Sequence, residues 1–229
     1  MIKSITVTAL CLGLATILIT GTMAQAADLQ TIKLPKPAIT HGKPLMQTLS
    51  ERKTSREFAA KDLDPQTLSN LLWAAFGINR PDSGRRTAPS ALNHQEIDVF
   101  VALKSGIYRY DPKANSLIPD VAGDMRAMTG LQGYVKDAPL DLIYVADFAK
   151  MGNSQEAEKV FLSAADTGFI AENVYLYSAS EGLATVVRAN IDKKKLGESM
   201  KLLPDQKITL AQCVGYPKAK ESKDDSQKK

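Results

Sequence analysis

The sequence predicts a mixed α+β domain, a central and mainly antiparallel sheet wrapped by helices. Three observations carry this. Residues 97–118 hold three short apolar runs separated by turn residues, the pattern of an antiparallel meander. Residues 140–147 and 208–214 are near-continuous apolar runs, as central strands are. Residues 155–181 contain no proline and one glycine and stay apolar on more than one face, the mark of one long buried helix.

The chain opens Met1-Ile2-Lys3, then carries no charge from residue 4 to residue 27, with Ala24-Gln25-Ala26 as a small-x-small site. A short basic start, an apolar run and that site predict a secretory signal peptide over residues 1–26, cleaved after Ala26. The rival reading is an uncleaved span, because residues 5–23 approach the roughly twenty apolar residues that cross a bilayer. No twin arginine precedes the run, which favours export of an unfolded chain. The expected address is periplasmic or secreted, with no stable membrane anchor once the signal is gone.

Removing one Lys and no acid leaves 28 Lys+Arg against 25 Asp+Glu, a mild +3. That balance argues against nucleic acid as a partner. About two hundred residues suffice for one domain, expected over 44–217, between an extended arm at 27–43 and a charged tail at 218–229. Cys213 is the only cysteine outside the signal, so no internal disulfide forms, and its apolar run makes it a buried, inert thiol. His41 and His94 have no second ligand at metal spacing, so no metal site is expected.

In order, Pro35, Pro37 and Gly42 break up the arm. Met46, Leu49 and Phe58 predict a short helix whose end carries residues 52–56. Asp64-Pro65-Gln66 opens a second helix, with Leu68, Leu71, Leu72, Ala75 and Phe76 as its apolar stripe and Gly77 as its stop. Trp73 reads as a core or interface residue. Residues 79–95 form a polar loop long enough to be functional. Gly182 caps the long helix, residues 183–189 form a strand in which Arg188 reads as a surface residue, and a Lys-rich helix follows at 193–201. An all-round apolar helix in so small a chain points to a second subunit covering one face.

Arg52-Lys53-Thr54-Ser55-Arg56 places three cations and two hydroxyls in five residues, the groups that a phosphate and a polyol need. Arg86-Thr87-Ala88-Pro89-Ser90-Ala91-Leu92-Asn93-His94-Gln95 adds amides and hydroxyls. Alone, the first is an ordinary solvated helix end and Asn93 an ordinary turn residue.

Four motifs in order change that weighting. The basic stretch resembles the Arg-(Arg/His)-Ser-x-(Arg/Lys) opening of the nitroreductase superfamily of flavin mononucleotide (FMN) enzymes, and Pro89-Ser90-Ala91-Leu92-Asn93-His94-Gln95 resembles its Pro-Ser-(Ser/Ala)-x-Asn-x-Gln loop. Ala171-Glu172-Asn173-Val174-Tyr175-Leu176 with Glu181-Gly182-Leu183-Ala184-Thr185 is similar to its long helix and exit, and Val214-Gly215-Tyr216-Pro217 to its last strand. Leu72-Trp73-Ala74-Ala75-Phe76-Gly77-Ile78, Arg86-Thr87-Ala88-Pro89-Ser90 and Gly106-Ile107-Tyr108-Arg109-Tyr110-Asp111 are similar to the SagB-type branch, which includes azoline dehydrogenases, whereas Leu92-Asn93-His94-Gln95 departs from it. The resemblance implies a nitroreductase-like fold, a homodimer with the long helix at its interface, FMN as cofactor, and two-electron chemistry at flavin N5 on a small organic or peptide-derived substrate. It implies that Arg52, Arg56 and Lys218 or Lys220 meet the phosphate, with Lys53 in the same motif. Thr54 and Ser55 are assigned to the ribityl chain, and Asn93, with Pro89, Ser90, Ala91 and Gln95, to the ring. Ala189 and Asn190 present backbone N–H near N5. No side-chain nucleophile is required. The alternative is an exported flavin- or ligand-binding protein on the same scaffold, without turnover.

Overall fold

Residues 29–219 are those that the computed structural model describes; the signal segment 1–26 and the tail from residue 220, Lys220 included, lie outside them. The arm begins with β1 (Ile32–Lys33) and runs on to α1 (Leu45–Glu51). α2 (Pro65–Phe76) starts where its cap residue dictates: Asp64 accepts from the N–H of Gln66 and Thr67, both at 3.0 Å, and from the Thr67 hydroxyl at 2.6 Å. These bonds, the Thr67 hydroxyl foremost, hold the Asp64 carboxyl at about 2. β2 (Ile78–Arg80) and β3 (Arg85–Arg86) form a small hairpin turned by Gly84 at φ 64°. The stretch read as an irregular loop is thus partly paired, which backbone hydrogen bonding permits without any apolar period.

β4 (Ile97–Leu103), β5 (Gly106–Asp111) and β6 (Ser116–Ala122) make the expected meander, and β7 (Leu140–Asp147) the expected buried strand. α3 (Glu156–Glu181) ends at Gly182, left-handed at φ 71°, followed by β8 (Ala184–Arg188), α4 (Lys193–Ser199) and β9 (Gln206–Gly215). The seven-stranded sheet has the order β1-β6-β5-β4-β7-β9-β8, with every pairing antiparallel. β7 alternates in the way a two-sided core demands. Leu140, Leu142, Tyr144 and Ala146 pack with α2 and α3, while Ile143 and Val145 pack with α4 residue Leu196 on the opposite face.

The expectations for residues 52–56, Phe58 and Arg188 need correction. Residues 52–56 do not extend α1: Arg52 leaves the helix at ψ 125°, and the Ser55 N–H donates to the Thr185 carbonyl at 2.9 Å, so the stretch lies extended beside β8. Phe58 bridges to Pro217 rather than joining α1, whose Leu45, Met46 and Leu49 are exposed. Within the single chain α3 buries one face, through Ile170, Val174 and Tyr175 among others, and leaves Val160, Phe161 and Phe169 exposed at 54%, 72% and 49%. Arg188 is not on the surface. It lies 5% exposed, donating to Asp141, to the carbonyl and hydroxyl of Thr129, and to the Cys213 thiol at 3.2 Å. The 3-10 turn Arg126–Thr129 lies against this part of the sheet and supplies the two Thr129 acceptors. Burial raises the Asp141 carboxyl and the guanidinium beside it draws it back; burial also raises the Cys213 thiol, leaving it inert.

A buried ion pair and an exposed one cost very different amounts to break. Asp141→Asn leaves the Arg188 charge without its counter-ion and is expected to destabilise the fold by about 3–5 kcal/mol. Asp98→Asn, which breaks the exposed pair with Lys150, is expected to cost about 1 kcal/mol or less. Urea denaturation of both variants checks this, and equal losses would show that the inner pair is not desolvated.

Candidate functional site

Because residues 52–56 are extended, alternate side chains point opposite ways. Arg52 and Thr54 both meet Tyr175 of α3, the guanidinium 5.3 Å from the ring centroid and the two hydroxyls 3.1 Å apart. Lys53 and Ser55 line a cavity of about 570 Å³ with Gly182 and Ala184. Arg56 lines another, of about 700 Å³, with Lys61, Lys104 and Lys136. The exit from β9 runs beside the motif: the Ala59 N–H donates to the Tyr216 carbonyl and the Lys218 N–H to the Glu57 carbonyl, at 2.9 and 3.3 Å. Lys218 therefore borders both cavities. Among the described residues, Arg52, Lys53, Arg56 and Lys218 take part in no ion pair. The stretch thus supplies cations and hydroxyls of the kinds that the phosphate and polyol of FMN take, with Glu57 lining both cavities beside them.

The second cluster is residues 89–95. Leu92, Asn93 and Gln95 all have positive φ, at 50°, 58° and 50°. Such backbone costs on the order of 1–3 kcal/mol per residue and persists only where surroundings hold it. Here the Ser90 hydroxyl accepts from the Gln95 N–H at 2.8 Å, and Asp166 of α3 accepts from the Ala91 N–H at 2.9 Å. The Gln95 amide bonds Arg86, Gly84 and Asn93. The Asn93 carbonyl oxygen is thereby engaged, while its NH₂ makes no bond among the described residues. Pro89 and Asn93 are exposed beside a cavity of about 410 Å³. His94 holds the turn through its backbone N–H, which donates to Ala91, and its buried ring Nε2 finds no partner among the described residues.

Ala189 and Asn190, both exposed, follow the buried Arg188, and the Leu131 N–H anchors them by donating to the Asn190 carbonyl at 3.1 Å. The structure thus joins Lys218 to the basic stretch but does not bring the loop to it. The loop hangs from Asp166 and the stretch from Tyr175, nine residues apart on α3 and so about 13 Å along its axis. The cavity beside the loop contains none of residues 52–56. No local signal in the sequence marks Tyr175, which is buried, as the anchor of this stretch, since that role depends on which strand lies opposite. Sequence reasoning missed the pair beneath the loop, Glu96 and Asp166, 0% and 3% exposed.

Burial, then the neighbouring Asp166, raise the Glu96 carboxyl, which bonds Asp166 and accepts from the Ser90 hydroxyl. Its Oε1 has no hydrogen-bond partner among the described residues, so no donor offsets its burial there. The folded chain therefore keeps the Glu96 proton to higher pH than the unfolded chain, and stability falls as pH rises above the ordinary value of 4.5 through the raised one. Glu96→Gln removes the titration and is expected to flatten that decline in urea unfolding measured across pH; an unchanged slope would mean that Glu96 is ionised throughout.

The Nitroreductase family model matches residues 49–216. A candidate nitroreductase of Methanocaldococcus jannaschii is 27% identical over 182 residues, covering 75% of this chain and 91% of that protein. Among solved structures, a candidate nitroreductase of Ralstonia eutropha superposes with a TM-score of 0.80 at 46% identity, over 83% of this chain and 90% of that one. The Escherichia coli microcin synthetase complex with truncated pro-MccB17 bound contains a chain of the same fold, TM-score 0.64 at 19% identity, over 89% and 85%. The family match takes in the basic stretch, the strained loop, the long helix and the last strand together, and on it this chain belongs to the nitroreductase family.

Proposed function

We propose that this chain is an exported FMN-dependent oxidoreductase that works as a homodimer, on a small organic or peptide-derived substrate. The observation that carries the reading is that Arg52, Lys53 and Arg56, on the stretch that holds Thr54 and Ser55 beside α3 and β8, and Lys218 next to that stretch enter no ion pair among the described residues. In this reading Arg52, Arg56 and Lys218 neutralise the phosphate, and Thr54 and Ser55 bond the ribityl hydroxyls. Asn93 offers its free NH₂ to the ring's polar edge. Ala189 and Asn190 lend backbone N–H near N5. When bound, FMN supplies the two-electron, hydride-carrying centre, and the protein binds, orients and shields it.

The separation of loop and stretch along α3 supports a site shared by two copies, the loop of one reaching the ligand held by the other. The exposed Val160, Phe161 and Phe169 on α3, with Leu45 and Met46 on α1, supply an apolar surface for that second copy to cover. Residues 72–78 and 106–111, with the Arg86-Thr87-Ala88-Pro89-Ser90 run, favour a place in the SagB-type branch, and with it oxidation of a ring in a modified peptide. Quinones and nitroaromatics are the other candidate substrates. Export after residue 26 removes the chain from the cytoplasmic nicotinamide pool, so the electron donor is another reductant, or the reaction runs as substrate oxidation with an external acceptor.

Three measurements test the reading. The purified mature protein is expected to be yellow, with a flavin that substrate reduces or reoxidises; a colourless protein that refuses added FMN sinks it, and a yellow one without turnover favours a binding role. Arg52→Ala and Arg56→Ala are each expected to weaken FMN binding by about 1.5–3 kcal/mol, read by flavin fluorescence titration; unchanged affinity moves the phosphate elsewhere. In stopped-flow mixing, NADH and NADPH are expected to bleach the flavin slowly, and rapid bleaching overturns the donor assignment.

A further inference from the structure

The hairpin β2–β3 and the strained loop enclose the cavity of about 410 Å³, and its lining includes Arg80, Arg85 and Arg86 but no Asp or Glu. That volume falls in the range of about 300–1,000 Å³ usual for small-molecule sites. Two of the arginines are held in place. Arg86 donates to the Gln95 amide oxygen at 2.8 Å and to the Phe76 carbonyl at 3.0 Å, with its guanidinium 4.8 Å from the Phe76 ring centroid. Arg80 donates to Asn79 at 3.0 Å and to the Arg86 carbonyl at 2.8 Å. The Arg85 guanidinium is exposed, with no hydrogen bond or ion pair among the described residues. Leu92, 80% exposed at left-handed φ, and Pro89 give the same cavity an apolar wall.

Three arginines line this recess with no Asp or Glu among its lining residues, and a guanidinium fork matches carboxylate and phosphate oxygens bidentately. Fixing Arg80 and Arg86 beforehand lowers the entropy lost when a ligand binds. Leu92 and Pro89 suit a flat apolar body attached to that anion. We propose that this pocket holds the anionic end of the substrate, so that the enzyme prefers small, flat molecules bearing a carboxylate or a phosphate. The inference rests on the flavin oxidoreductase reading, since Pro89, Ser90, Asn93 and Gln95 line this cavity too.

The test is calorimetric titration of the flavin-loaded protein with 4-nitrobenzoate, phenyl phosphate and the neutral 4-nitrobenzamide, on wild type and Arg85→Gln. Wild type is expected to bind at least one of the anions tenfold or more tightly than the amide, more weakly as NaCl is added, the tighter anion identifying the source of the charge. In Arg85→Gln the preference is expected to fall towards one while FMN affinity holds. Equal binding of anions and amide by wild type overturns the proposal. So does a preference that survives Arg85→Gln, and so does loss of FMN by that variant, which would place the arginines in the flavin site. A chain that takes up no flavin yet binds an anion through Arg85 overturns the oxidoreductase reading and leaves the anion pocket standing.

Discussion

The Tyr175 hydroxyl is the joint on which the arrangement of the site depends. It accepts the Val187 N–H of β8 at 3.0 Å and lies 3.1 Å from the Thr54 hydroxyl, while its ring underlies Arg52. One buried side chain therefore ties the long helix, the edge strand and the basic stretch together. Gln212 and Tyr144 continue the tie inward: Tyr144 donates to the Gln212 amide oxygen at 2.7 Å, and the Gln212 NH₂ donates to the Ala171 carbonyl and the Thr185 hydroxyl. In the low dielectric of the core a fully satisfied polar network holds its members in one geometry, because each alternative leaves a polar atom without a partner. A cation-rich segment is thereby given a single extended path at the rim of the sheet.

Charge is distributed by what burial costs. The only ion pair placed deep in the described core, Arg188 with Asp141, closes β7, β8 and the turn at Thr129 on one another just before the exposed Ala189 and Asn190. Beneath the strained loop two carboxyl groups, Glu96 and Asp166, are buried without an ion pair among the described residues, and burial raises the Glu96 carboxyl. Both put cost into the interior in return for a defined backbone outside it. Arg52, Lys53, Arg56 and Lys218, by contrast, enter no ion pair among the described residues, which leaves their charges available to an anion.

Much of the fold was legible beforehand because its signals are local. Asp64-Pro65 caps α2, Gly77 and Gly182 end helices, and the turns between β4, β5 and β6 fall at Gly106 and at residues 111–115. The alternation of Leu142 and Tyr144 with Ile143 and Val145 predicts a strand buried on both sides. What was not legible depends on partners far away in sequence. Whether residues 52–56 are helical turns on the Thr185 carbonyl opposite Ser55. The burial of Arg188 turns on Thr129 and Asp141, 59 and 47 residues away. The distance between the loop and the basic stretch turns on where each hangs along α3.

By itself the sequence determined the element types, the sheet's antiparallel character and the residue chemistry of the site, because helix caps, turn residues and hydrophobic period act over a few neighbouring positions. Tertiary structure alone decided which of those residues meet. It turned Arg52 and Thr54 onto Tyr175, Lys53 and Ser55 into one cavity and Arg56 into another, and sank Arg188 into the core. It set three arginines around one recess without a carboxylate. The physical reason is that contact and burial are properties of chain crossings, and a crossing such as Thr54 with Tyr175, 121 residues apart, leaves no mark on either local sequence.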